Sequence, residues 1–139
     1  MIRKLLLAGS LLAATAGAQP VVPGFEAARG VAVTPGEWRY VATATGSQAL
    51  FGEAIELRCE RSTRRVQLRR ITPGPPSPIS IATDTAERTI PADGWLDAGD
   101  PLLDAIAFSR GRFIVSGGGE RLVIPAFPEP ARSVQDCRI

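Results

Sequence analysis

The sequence predicts a mainly β protein: a small antiparallel β-sandwich or partly open barrel with one short internal helix, a C-terminal helix and one disulfide. Three observations carry this. Apolar and polar residues alternate in short runs between turns rich in glycine and proline. One stretch, GDPLLDAIAFSRG at 99–111, switches to a helical period. Two cysteines, Cys59 and Cys137, stand far apart in a chain whose start resembles an export signal.

Residues 1–18, MIRKLLLAGSLLAATAGA, set Arg3 and Lys4 before an apolar run and end on small residues. That layout predicts a secretory signal cut after Ala18. The run is shorter than the roughly 20 apolar residues that span a bilayer, so no membrane span is expected after cleavage. The expected location is the periplasm or the secreted fraction. There two cysteines predict a structural disulfide. Closing Cys59 to Cys137 constrains about 78 residues, worth about 4–5 kcal/mol in the chain-entropy account.

Residues 19–36 mix proline, glycine and scattered apolar positions without a sustained period and predict an extended or mobile leader, with 31–33 as an edge strand. Residues 37–139 predict a single β-rich domain. Its first strand lies in EWRYVATA, where Trp38, Tyr40 and Ala42 alternate and Trp38 is a core anchor. AIELRCE and RRVQLRR predict a hairpin turning at 61–63. With Cys59 opposite Val66 and Leu57 opposite Leu68, the inner face is apolar; the outer face sets Glu60 against Arg65 and Glu56 against Arg69. The arginines of 58–70 therefore read as a partly paired sheet face rather than a nucleic-acid patch.

TPGPPSP, 72–78, predicts a stiff connection. ISIAT and ERTI predict short strands before the PADG turn. Asp100 then caps a helix with Pro101 in its first turn, Leu102, Ala105 and Ile106, with Leu103 nearby, as its buried stripe, and Gly111 as its end. RFIVS and RLVIPAF predict a hairpin through GGGE. PEPARSVQDCR predicts the terminal helix, with Ala131, Val134 and Cys137 on one face.

The net charge of +2 comes from Arg3 and Lys4; the rest of the chain balances fourteen arginines against fourteen acidic residues. No nucleic-acid partner is therefore expected. The chain has no histidine, which excludes Ser/His/Asp triads and HExxH metal sites. Two distant cysteines make no zinc ribbon, and no metal or cofactor is implied. Asp97, Asp100 and Asp104 could in principle serve a carboxylate-based cell-wall hydrolase, yet a cap and a helix-end charge account for two of them.

SRGRF, 109–113, is the remaining feature. Arg110 and Arg112, either side of Gly111, can present two forked donors to an anionic group or pair internally. With Arg39 they form the candidate binding residues.

The segments GEWRY, DPLLDAIAFSRGRF and LVIPAFPEPARSVQDCR, together with the strand bearing Cys59, resemble a family of small exported alphaproteobacterial proteins without assigned activity. In layout, with a tryptophan, a cysteine-bearing strand and a terminal cysteine, the chain is also similar to invasion-associated locus B proteins and VasI-like accessory proteins of type VI secretion. These resemblances imply a small β-rich envelope or secretion-associated protein without catalysis. The expectation is a non-enzymatic protein that binds another envelope protein. A structural or stress-protective role is the alternative.

Overall fold

A computed structural model describes residues 9–10 and 21–139. Most of the expected signal segment and its cut after Ala18 lie outside the described residues. Two antiparallel sheets face each other across one core. The first holds β1 (Trp38–Ala42), β2 (Gly46–Phe51), β3 (Ile55–Glu60), β4 (Arg65–Arg70) and β7 (Trp95–Asp97), in that order. The second runs β6 (Glu87–Ile90), β5 (Ile79–Ala82), β8 (Arg112–Ser116), β9 (Leu122–Pro125). No strand belongs to both sheets, so the arrangement is a sandwich rather than a barrel.

Alternation dictates what each sheet buries. Phe51, Ile55, Leu57, Val66 and Leu68 from the first sheet meet Ile79, Ile81, Phe113, Val115 and Ile124 from the second. The β3–β4 register is the expected one, Cys59 with Val66 and Leu57 with Leu68. Cys59 and Cys137 are joined, both buried, with Cα atoms 5.6 Å apart.

The disulfide pins α3 (Pro128–Asp136) to the inner face of the first sheet. Polar ties flank it: Ser47 Oγ donates to Ser133 Oγ at 3.2 Å, and the Tyr40 hydroxyl donates to Asp136. Arg132 lies over the Tyr40 ring at 3.9 Å. Trp38 is buried and its indole N–H donates to Pro125 O at 2.7 Å, tying β1 to β9.

Several expectations need correction. The leader is not extended. Residues 23–27 form the short helix α1 (Pro23–Ala27), and 31–33 form no strand. Val22, Phe25 and Ala28 recur at helical spacing, which lets one turn cover Ala82, Ile114 and Val123 on the outer face of the second sheet. Gly24 lets the turn sit close to the sheet: a Cβ there would lie 3.1 Å from Ala82 Cβ and would displace the Glu87 carboxylate.

The internal helix α2 spans Pro101–Ala107 and stops before Gly111. Asp100 caps it as expected, accepting from Leu102 N at 2.9 Å, and Leu102, Leu103 and Ile106 are buried while Ala105 is only half-buried. Phe108 closes the helix at 81% exposure, and Gly111, at φ 77°, turns the chain into β8. Two strands escape the sequence pattern: β2, half of whose GSQALF is small residues, and the three-residue β7.

Candidate functional site

The two arginines of SRGRF have separate fates. Arg112 begins β8 on the outer face of the second sheet, beneath α1. Its guanidinium donates to three leader carbonyls: Ala28 O at 3.2 Å, Val31 O at 3.0 Å and Arg29 O at 2.9 Å. Those carbonyls end the α1 turn and have few helical partners of their own, so Arg112 caps the leader and holds it to the sheet. Ser109 supports the same corner, donating to Arg112 O and accepting from Asp84 N.

Arg110 is exposed and makes no ion pair among the described residues. It borders a cleft of about 220 Å³ with Val22, Phe25, Glu26, Arg29 and Asp84. It is no helix-end charge, since the last turn of α2 contains no basic residue. Arg39 lies elsewhere, on the outer face of β1, beside a shallow hollow with Leu50 and Ile71. The three candidate arginines thus do not form one site.

Register brings a different set together. Across the outer face of the first sheet, one row reads Arg39, Leu50, Glu56, Arg69; the next Val41, Gln48, Arg58, Gln67, Trp95; the third Gly46, Glu60, Arg65, Asp97. No helix or strand is packed over this face among the described residues, whereas the leader covers Ala82, Ile114 and Val123 on the outer face of the second sheet.

Glu56 is only 3% exposed on this face, accepting from Arg69 Nε at 2.6 Å and Gln48 Nε2 at 2.9 Å. The expected Glu56–Arg69 pair is therefore present. The expected Glu60–Arg65 pair exists in register only: the Glu60 carboxylate accepts from Thr45 Oγ1 and sits 3.5 Å from Arg58 Nε. Arg58 and Glu60 are two residues apart on one strand and so share a face, which lets Arg58 reach along β3 to Glu60. Arg58 and Arg65 instead both stand near the Trp95 ring, at 5.6 and 5.7 Å from its centroid. Sequence reasoning missed Trp95 because WLD is too short to show a period. The signal that could have found it is alternation after PADG, with Leu96 inward and Trp95 and Asp97 outward.

The acidic trio weighed for hydrolysis is largely committed to the fold. Asp100 caps α2 and takes both Arg88 nitrogens, at 3.0 and 2.8 Å. Hydrogen bonding from Arg88, opposed by burial and aided by Leu102 N, holds its carboxyl below the usual range. Asp104 accepts from Arg138 Nη1 at 2.7 Å. Asp97 is exposed at the end of β7. Among the described residues, no three His, Cys, Asp or Glu side chains converge on a metal position, and no helix is long and apolar enough to cross a membrane. No family model, curated protein or solved structure matches the chain.

Proposed function

We propose that the protein is a non-enzymatic, exported binding protein, periplasmic or secreted, that docks another envelope protein on the outer face of its five-stranded sheet. One observation carries this reading. Of the two outer sheet faces, one carries the chain's own leader over Ala82, Ile114 and Val123, and the other has no element packed over it among the described residues, with Arg39, Arg58, Arg65, Arg69 and the half-buried Trp95 across it. Tryptophan and arginine are the side chains that most often anchor protein interfaces. The buried disulfide supports an oxidising compartment.

Arg112 drops out of the recognition surface because the leader occupies it, and Arg110 remains a separate exposed cation. The alternative, a structural or stress-protective envelope role, gains from the internal use of Arg112, Arg138 and Arg88. It assigns Arg58, Arg65 and Trp95 only their contacts with one another and with Glu60. A carboxylate-based cell-wall hydrolase would need acids freed from the pairings of Asp100 and Asp104.

A photo-crosslinking residue placed at Gln67, in the middle of the open face, tests the reading in cells exporting the full precursor. A control is placed at Ser80 on the other outer face. The expected result is one discrete conjugate from position 67 and none from 80, in a periplasmic or secreted chain beginning at Gln19. Conjugates from 80 alone, or from neither position, would overturn it.

A further inference from the structure

The open face is uneven. At the Arg39 end, Glu56 takes up the Arg69 charge. At the Trp95 end the cations are loosely held. Arg58 Nε lies near Glu60 but makes no hydrogen bond, although the atom itself is buried. Arg65 makes no ion pair among the described residues, despite having Glu60 and Asp97 as register neighbours. Around the indole, Arg58, Arg65, Glu60 and Thr63 border one shallow depression.

We infer that this depression recognises a carboxylate side chain, with its apolar neighbour, on an acidic peptide segment of the partner; the inference rests on the binding face proposed above. Guanidinium forks match the two oxygens of a carboxylate. The indole supplies an apolar plane for the adjoining residue. Net charge selects among anions. The five arginines at this corner, Arg58, Arg61, Arg64, Arg65 and Arg132, stand against Glu60, Asp97 and Asp136, leaving two positive charges in excess. So small an excess suits isolated carboxylates. A polyanion such as nucleic acid would run its phosphates past Glu60 and Asp97 and be repelled. Shape selects an extended segment laid across the strands, because the depression is open and encloses no small molecule.

The test uses residues 19–139 with the disulfide intact and two capped decapeptides, one centred on Glu-Leu-Glu and its twin on Gln-Leu-Gln. Nuclear magnetic resonance follows the Trp95 indole N–H and the Arg58 and Arg65 Nε–H signals. The Trp38 indole, bonded to Pro125 O, serves as the internal control. The acidic peptide is expected to shift the Trp95 and arginine signals saturably, with the twin about tenfold weaker, the effect of losing one charge-assisted hydrogen bond. Arg58→Gln/Arg65→Gln, shown folded by an unchanged Trp38 signal, is expected to lose the preference. Equal shifts from both peptides, an undiminished preference in the double variant, or shifts confined to another face would overturn the inference. Crosslinking from Gln67 separates the two levels. If it still yields a conjugate while the peptides bind alike, the binding face stands and the carboxylate site fails; if it yields none, both fail.

Discussion

Replacing Arg112 with glutamine is expected to loosen the leader while leaving the sandwich folded. The side chain makes three hydrogen bonds to leader carbonyls. Bonds from a charged donor contribute about 1.5–3 kcal/mol when buried. Two of these three are solvent-exposed, so water replaces much of what is lost. A net local cost of about 2 kcal/mol follows, or roughly 30-fold more frequent leader opening. The change stays local because the leader contributes only Val22, Phe25 and Ala28 to the smaller apolar cluster, and nothing to the main core. Native-state hydrogen exchange measures it directly. The Val31 amide, bonded to Ala28 O, and the Thr34 amide, bonded to Val123 O, are expected to exchange faster, while β3 amides keep their rates. Arg110→Gln is the matched control and is expected to change neither set. Unchanged exchange at Val31 and Thr34 in Arg112→Gln, or a parallel rise throughout β3, would refute the capping role.

Three other outcomes are expected. Reducing the disulfide, or replacing both cysteines with serine, should lower unfolding free energy by about 4–5 kcal/mol for the 78-residue separation, read from denaturant midpoints; a loss below about 1 kcal/mol would mean that α3 is held by its polar ties alone. Gly46→Ala should destabilise the β2–β3 pair severely, because the added Cβ would lie 2.1 Å from Cys59 O, and a melting temperature like the native one would contradict the register. Acid should weaken the fold through Asp136 and Asp100. For Asp136, burial opposes the charged form, but the hydrogen bond from Tyr40 and the charges of Arg61 and Arg132 outweigh it and lower the carboxyl. Both folded-state values lie below the unfolded ones. Their stabilisation is therefore complete above the unfolded value, near pH 4, and is lost as pH falls through the folded values. Asp136→Asn should flatten that acid limb of a stability-against-pH curve, and an unaltered limb would assign it to other groups.

The legible parts of the fold are those where one local pattern decides the outcome. Ile55, Leu57, Cys59, Val66 and Leu68 set the β3–β4 register by themselves, because a one-residue slip would expose all of them. Asp100-Pro101 marked the start of α2 for a similar reason, since cap and first turn are adjacent in the chain. What stayed hidden depends on distant partners. The leader gains its helical turn only against Ala82, Ile114 and Val123, and Arg112 gains its role only because three leader carbonyls lie above it. β2 is a strand because β1 and β3 flank it, not because GSQALF favours one. Of the candidate residues, Arg39 lies on the open face, Arg110 beside the leader cleft and Arg112 beneath the leader. The grouping of Arg58 and Arg65 with Trp95 joins three strands and needs the register of β4 with β7, which a three-residue segment does not announce.

Affinity capture from envelope extract tests most directly which surface recognises a partner. Residues 19–139 with the disulfide intact are compared at low and moderate salt with Arg58→Gln/Arg65→Gln and with Arg110→Gln. The expected result is a discrete partner held by the native protein and by Arg110→Gln, weakened by salt, and lost by the double variant. Retention by the double variant with loss in Arg110→Gln would move recognition to the AFSRGRF turn and contradict the open-face assignment.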